Sequence, residues 1–269
     1  MQLAHVAPWV LLAWVGCHTS SGSSDARADA AREAPVRHEA GTAEASRDWA
    51  RYRPTLLRAG IEGPFAPALE VELAGARGVR VAVVHMEGSE PVVSLWDLAP
   101  TGDEGVLEPA GKPRHLARPV EAPTPAMARE ALALGRQLEA PGNRVRWPNS
   151  PASAPEELLP ELARAARIAS DPKAPAPTRV EAFAEVLAGI DRDLFIHVAR
   201  WPALLAALAR VQGAPEIQGS GRRRQARAGG IEWTLLGGAR GWKIAGLEGE
   251  ASGADVAPAP SSPTGGDGL

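Results

Sequence analysis

The chain has 269 residues, a formal net charge of −3, 45% hydrophobic and 4% aromatic residues, and a single cysteine. These values exclude a disulfide-stapled miniprotein, a strongly basic nucleic-acid binder and a polytopic membrane protein. Much of the hydrophobic fraction is alanine, which buries little area, so the core has to rest on Leu, Val, Ile and a few aromatic side chains. The composition therefore predicts one or two ordinary globular domains.

An uncharged apolar block opens the chain. Residues 1–16 contain no Asp, Glu, Lys or Arg, and residues 6–15 read VAPWVLLAWV. A bilayer core of about 30 Å needs about 20 residues of helix, so this block is too short to span it. The block instead fits the hydrophobic region of a secretory signal peptide covering residues 1–16.

The only cysteine lies at the junction between this block and a polar run. The tripeptide Val15-Gly16-Cys17 resembles the lipobox of bacterial lipoproteins, although no Lys or Arg precedes it and Trp14 stands where that family usually has Leu. The resemblance implies cleavage before Cys17, diacylation of its sulfur and a lipid anchor in the cell envelope. Because His18 rather than Asp follows, it also implies the outer membrane in a Gram-negative cell. An ordinary cleaved signal peptide and a misassigned start are the alternatives.

Two polar segments flank the part that can fold. Residues 18–46 contain one large aliphatic side chain, Val36, and no aromatic ring, and residues 249–269 have the same character. Such segments cannot bury enough surface to offset their loss of conformational entropy. They are predicted to be a disordered tether, which starts at the lipidated Cys17, and a disordered tail.

The N-terminal region, residues 47–141, is predicted to be rich in β-strand and to contain helices. Apolar spacing predicts a short helix, a hairpin of two strands and a third strand, over 47–59, 69–73, 79–86 and 91–98 in turn. The stretch between residues 100 and 123 is rich in Gly and Pro, and we predict no regular structure there. A helix that Thr124 caps should then run to Pro141-Gly142.

Residues 155–248 are predicted to form helices followed by a terminal β-hairpin, and the linker-like residues 142–154 are the candidate domain boundary. Periodicity predicts three helices, the last with a restart or kink at Trp201-Pro202, and two hairpin strands, over 155–169, 178–189, 191–211, 224–236 and 242–247. Thr178 and Glu181 have the spacing of a capping box, and Asp191 can cap the next helix. The whole chain is thus predicted to be α+β, with antiparallel hairpins packed against several helices.

The last hundred residues resemble a known superfamily. The sequence VEAFAEVLAGIDRDLFIHVARWPALLAAL, followed by a hairpin that ends in GWKIAGLE, is similar to the opening helices and closing strands of the nuclear-transport-factor-two-like, or cystatin-like, superfamily. There a sheet curls around a helix to form a cone that hosts ligand pockets and enzymes. The resemblance implies a fold over about 155–248, with too few strands for a complete cone, and it implies no function.

A short sequence occurs in both hairpins. LAGARGVRVA at 73–82 aligns without gaps on LGGARGWKIA at 236–245. An ancient duplication explains the match, and so do two independent turns in a chain rich in Ala, Arg and Gly. The helices beside the two hairpins do not align, so both explanations stay open.

No catalytic constellation is visible along the chain, and the catalytic residues are unknown. His85 and Glu87 would share a strand face, which suits two metal ligands, but no third ligand can be named, so neither a metal nor a cofactor is expected. Ser89 and Ser220 lack the G-x-S-x-G elbow of hydrolases. Trp233 and Trp242 lie on opposite strands of the last hairpin and would pair if they share a face.

A cationic run precedes the last hairpin. Arg222, Arg223 and Arg224 could contact anionic lipid headgroups or lipopolysaccharide phosphate, because guanidinium groups bind such oxygens in a bidentate manner. Three further basic residues could enlarge this patch, namely Arg227, Arg240 and Lys243. A solvated loop is the alternative. Nucleic acid is not an expected partner, because the chain is predicted to be exported and lacks interleaved aromatic residues.

The sequence does not reveal a biochemical activity. The leading expectation is a non-enzymatic envelope lipoprotein, a binding or interaction module that acts through its sheet surface. Its partners would be the membrane, through the lipid anchor, and an envelope protein or a small ligand. A secreted enzyme of hydrolase type, whose polar residues converge only in three dimensions, and a structural envelope spacer are the alternatives.

Overall fold

The computed structural model describes residues 52–75, 78–101, 106–118 and 123–248. Cys17, the predicted tether and the predicted tail lie outside these residues. The described part is a mixed α+β fold with six α-helices and two antiparallel sheets, which confirms the predicted fold class. Within this part, no helix is both long enough and apolar enough to cross a membrane.

The first sheet has six strands in the order β4-β3-β2-β1-β6, with β5 also paired to β3. The strands are β1 (Phe65–Glu72), β2 (Val79–Glu87), β3 (Glu90–Pro100), β4 (Leu107–Pro109), β5 (Arg114–Ala117) and β6 (Arg144–Arg146). The predicted hairpin and third strand correspond to β1, β2 and β3. Strands β4 and β5 correct the prediction of no structure between residues 100 and 123.

Apolar side chains cover both faces of the first sheet. On one face Val81 and Val83 of β2 lie in a small cluster with Tyr52 and Leu56, which belong to helix α1 (Arg53–Arg58) and the residue before it. On the other face Ala82 and Val84 belong to the main core. This two-sided burial explains why β2 reads as a nearly continuous apolar run instead of an alternating one.

Five further helices follow, with a short 3-10 turn between the last two. They are α2 (Pro125–Glu139), α3 (Pro155–Ser170), α4 (Ala176–Ala188), α5 (Arg192–Ile196) and α6 (Trp201–Arg210). Helix α2 begins as predicted, because the side chain of Thr124 accepts a hydrogen bond from the backbone N–H of Met127 at 3.2 Å. Asp191 caps α5, also as predicted, by accepting from the backbone N–H of Asp193.

Helix α4 begins earlier than the sequence predicts. It starts at Ala176 with Pro175 at the N-cap position and no side-chain cap. Thr178 and Glu181 therefore lie inside the helix, and the predicted capping box is wrong. The physical reason is the proline at residue 177, whose fixed φ suits the first turn of a helix.

The second sheet has four strands in the order β10-β9-β8-β7. They are β7 (Glu216–Gln218), β8 (Arg223–Ala228), β9 (Ile231–Gly238) and β10 (Gly241–Glu248). The predicted hairpin arm over 224–236 is in fact two strands. Gly229 and Gly230 separate them, with φ angles of 62° and 77°, and two positive φ angles in succession are what a two-residue hairpin turn requires.

The main core receives side chains from both sheets and from helices α2 to α6. Residues 142–154, the candidate domain boundary, carry strand β6, which pairs with β1. In the same stretch Ala152 is 1% exposed, and its carbonyl accepts a hydrogen bond of 3.1 Å from the backbone N–H of Trp242. The stretch thus contacts strands on both sides of it in the sequence.

The aligned glycines of the two hairpins with matching sequences differ in conformation. In the first, the glycine with positive φ is Gly75, at 71°. In the second, the glycine with positive φ is Gly241, at 85°, which aligns with Gly78 and not with Gly75. The aligned glycines therefore differ in backbone conformation, and both explanations of the sequence match, a duplication and two independent turns, stay open.

Candidate functional site

The second sheet packs one face on the core and leaves the other in solvent. Along β9, Trp233 and Leu235 are both 0% exposed on the inner face, whereas Glu232 on the outer face is exposed. Strand β8 alternates in the same way, with Ala226 at 1% exposure and Arg227 exposed. We call the solvent side of β7, β8, β9 and the end of β10 the outer face.

One end of the outer face carries a row of charges. Glu216, Arg227, Glu232 and Glu248 lie directly opposite one another on four successive strands, and all four are exposed. They line a groove of about 590 Å³ together with the Gly229-Gly230 turn. Three carboxylates and one guanidinium make this end of the outer face acidic.

The predicted arginine run lies at the other end and is divided by the alternation of β8. Arg222 and Arg223 are exposed. Arg224 lies on the inner face, where its guanidinium carbon is 5.3 Å from the ring centre of Trp242 and Nη1 is 3.7 Å from Glu156 Oε1. Of the three arginines, Arg222 and Arg223 are thus the exposed ones, whereas the side chain of Arg224 is 30% exposed and engaged with Trp242 and Glu156.

Lys243 does not extend this basic end. Its Nζ donates to the carbonyl oxygens of Ala188 at 2.6 Å and Pro148 at 3.4 Å, and it lies 5.5 Å from the ring centre of Trp147. Burial lowers the pKa of this amine from 10.5 to about 8. Lys243 thus holds the end of α4 and residues 147–148 against β10.

Two polar side chains of the first sheet, His85 and Ser94, are in contact, although nothing in the sequence pairs them. His85 Nε2 lies 2.8 Å from Ser94 Oγ, and His85 Nδ1 lies 3.1 Å from the carbonyl oxygen of Met86. Such a contact is what a serine nucleophile and its base require. Ser94 is only 1% exposed, however, so its hydroxyl is closed off from a substrate, and burial lowers the pKa of the half-buried His85.

Glu87 does not join His85 in a ligand set. Its carboxylate contacts Arg118, and Oε1 lies 3.8 Å from Nε2 of His115. In the parts of the chain that the structure describes, no three or more His, Cys, Asp or Glu side chains are arranged to hold a metal ion.

A partly buried ionic network crosses the same sheet. Arg80, which is 7% exposed, donates to both carboxylate oxygens of Asp97 at 2.6 and 3.0 Å, and to Gln137 Oε1 at 2.8 Å. Arg114 donates to Asp97 at 2.5 Å and lies 3.2 Å from Glu130. Burial alone would raise the pKa of Asp97, but the two guanidinium groups outweigh it and hold that pKa below its ordinary value. This network joins β2, β3 and β5 to α2.

A smaller cavity, of about 250 Å³, lies between the β2–β3 turn and the end of α3. Arg179 of α4 lines it and is 7% exposed. Its Nε donates to the carbonyl of Ala169 at 3.1 Å and its Nη1 to the carbonyl of Ser89 at 2.5 Å. Arg179 could not be singled out from the sequence, because one arginine in a helix of an arginine-rich chain gives no signal.

Trp233 and Trp242 share the inner face, yet they do not stack. Trp242 lies opposite Gly237, and a Cβ on that glycine would be 2.9 Å from the Trp242 ring. Trp233 lies opposite Leu247 and donates its indole N–H to the carbonyl of Ala228 at 3.1 Å. The condition for a cross-strand pair, a shared face, is met, but the pair itself does not form.

Comparison of the chain with protein-family models, curated proteins and solved structures gives no match. Its function therefore has to be argued from its own residues and their geometry.

Proposed function

We propose that this protein is a lipid-anchored, non-enzymatic binding module of the bacterial cell envelope, whose folded part contacts a protein partner through the outer face of the second sheet. The observation that carries the binding role is that outer face, with an acidic row at one end and exposed arginines at the other. The resemblance of residues 15–17 to a lipobox supports the anchor.

The charges of the outer face would orient a partner. Glu232 and its carboxylate neighbours are separated from Arg222 and Arg223 by about four residues of strand, or about 13 Å. Opposite charges at the two ends of one surface attract a partner with the reverse arrangement and disfavour the wrong orientation. A folded envelope protein can present such an arrangement, whereas a uniformly anionic membrane surface would attract only the basic end.

The anchor would keep the domain close to that partner. Each buried CH₂ of an acyl chain contributes about 0.8 kcal/mol, and stable attachment takes more than one chain. Diacylation of Cys17 would meet that requirement. The predicted tether over 18–46 would then separate the domain from the lipid surface.

The anchor is tested by fractionation of cells that express the native chain or the Cys17→Ala variant, grown with a labelled fatty acid. We expect the native chain in the membrane fraction with label, and the variant in the soluble fraction without it. A native chain that carries no label and distributes like the variant would show that the lipoprotein assignment is wrong.

The binding face is tested with a photo-crosslinking amino acid placed in the full chain at residue 223 or 232. The matched control places it at Arg136, an exposed residue of α2. We expect a crosslinked product of defined size from the two outer-face positions only, and its loss on Glu232→Arg substitution in the chain that carries the crosslinker at 223. A role for the outer face would be contradicted if neither outer-face position gave a crosslinked product, or if the control position gave the same product.

A further inference from the structure

Arg179 is a buried cation whose hydrogen-bonding capacity is only partly used. A guanidinium has five N–H donors, and two of those in Arg179 are taken by the carbonyls of Ala169 and Ser89. Among the described residues, Nη2 has no hydrogen-bond acceptor and no carboxylate forms an ion pair with the group. Arg179 as a whole is 7% exposed, a cation so far from solvent is costly to bury unless a counter-ion is available, and its side chain lines a cavity that could hold one.

The size and walls of the cavity limit what it can hold. A volume near 250 Å³ corresponds to about eight water molecules at about 30 Å³ each, so the cavity has room for a small molecule of up to about that many non-hydrogen atoms. Its apolar walls come from Pro91, Ala169 and Pro172, and Ser89 and Ser170 lie among its polar lining residues. Such a site fits a short apolar body with one polar head.

Among anions, the charges around the cavity favour one with a single charge over one with two. Glu90 also lines it, and the carbonyl end of α3 lies there through Ala169. A doubly charged phosphate would be repelled by that carboxylate and by the negative end of the helix. A carboxylate carries one charge, and its two oxygens match the planar fork of a guanidinium.

We propose that this cavity is a binding site for a small aliphatic monocarboxylate, with the carboxylate on the Nη2 side of Arg179 and the aliphatic body against Pro91 and Pro172. The site is separate from the outer face, and it depends neither on a protein partner nor on acylation of Cys17. If the function proposed above is wrong, the monocarboxylate site is still expected.

The test is a titration of the full chain with propionate, followed through the side-chain N–H resonance of Arg179. We expect a saturable shift of that resonance and at least tenfold weaker binding in Arg179→Gln. Because Arg179→Gln also removes two structural hydrogen bonds, a second variant, Ser170→Trp, fills the mouth from an exposed position and should weaken binding as much. Arg136→Gln, which removes an exposed charge elsewhere, should bind propionate like the native chain.

Two further titrations define the ligand class. Inorganic phosphate should bind at least tenfold more weakly than propionate to the native chain. In Glu90→Gln, which lacks the repelling carboxylate, the difference in affinity between propionate and phosphate should be smaller. Tighter binding of phosphate than of propionate would overturn the monocarboxylate class. A propionate response that does not saturate, or that is equal in Ser170→Trp and the native chain, would overturn the site.

Discussion

Lys243 shows how one charged side chain behaves at the edge of the core. Only three of the 29 basic residues are lysines, and the other two, Lys112 and Lys173, are exposed. Desolvation is the largest influence on the pKa of Lys243, and nearby Asp191 and Arg240 act in opposite directions. The charged form of this amine is therefore less favoured in the folded protein than in the unfolded chain, even though two carbonyl oxygens accept hydrogen bonds from Nζ.

We expect Lys243→Met to remove a rise of stability with pH. The pKa is about 8 in the folded protein, whereas the unfolded chain keeps the ordinary value of 10.5. Between these values the unfolded chain binds more protons, so the free energy of unfolding of the native protein increases as the pH rises. At 1.36 kcal/mol per pKa unit the increase is at most about 3 kcal/mol.

Urea unfolding at about pH 7.5 and about pH 10 measures this difference. Lys173→Met, at an exposed site, is the control, and its free energy of unfolding should still increase between the two pH values. If Lys243→Met and the native chain gain equal stability between the two pH values, the amine is not desolvated as the structure indicates.

Among the elements, the β8–β9 turn depends most clearly on backbone conformation. Both of its central residues have positive φ, a region that costs residues with a Cβ about 1–2 kcal/mol each. A Cβ on Gly230 would meet no other atom within 4 Å. On Gly229 it would lie 3.2 Å from the backbone of Arg210, at the end of α6.

Alanine substitutions at the two glycines should therefore differ. We expect Gly230→Ala to lower the free energy of unfolding by about 1 kcal/mol, from backbone strain alone. Gly229→Ala should cost more, because strain and a close contact with α6 add. Thermal or urea unfolding of the two variants measures this, and equal losses would mean that the contact with Arg210 relaxes freely.

At the scale of the whole molecule, the question is whether the described residues unfold together. The main core joins strands of both sheets through helices that lie between them in the sequence. Leu162 of α3 is 0% exposed. A Cβ on Gly189, the residue after α4, would lie only 2.5 Å from the methyl groups of Leu162, so α3 and the end of α4 are closely packed there. Small domains with one core usually unfold in a single transition.

We expect Leu162→Ala to lower the free energy of unfolding by about 3 kcal/mol, the middle of the range for a buried leucine. Amide hydrogen exchange in β2 and in β9 should become faster by the same factor, since both strands depend on the same core. Leu132→Ala, at a site that is 58% exposed, should change stability by less than about 0.5 kcal/mol. A change confined to β9 would instead support separate domains over 47–141 and 155–248.

The starts of α2 and α5 were predictable because their signals are local. Thr124 and Asp191 act through hydrogen bonds to residues two or three positions away, and both caps form. Strands β4 and β6 were missed because three residues are too few to show a period, and each exists only by pairing with a longer strand. The split of residues 224–236 into two strands, by contrast, has a local signal in the Gly-Gly pair between β8 and β9.

The candidate sites were less predictable than the fold. The arginine run was visible in the sequence, but strand alternation decided that Arg224 turns inward. The acidic row and the Arg179 cavity are formed by residues on separate elements, so no local sequence pattern predicts them. Sequence distance within each set exceeds the reach of any short motif.

The sequence by itself determined the α+β class, the starts of α2 and α5, and the expectation of an exported, lipid-anchored chain. These features follow from composition, from spacing along a few turns of chain and from one cysteine beside an apolar block. Only the tertiary structure decided which charges share a face, that Lys243 and Arg179 are buried, and that both sheets contribute to one core. Charge, burial and cavities depend on contacts between distant residues, and the chain makes those contacts only when it packs.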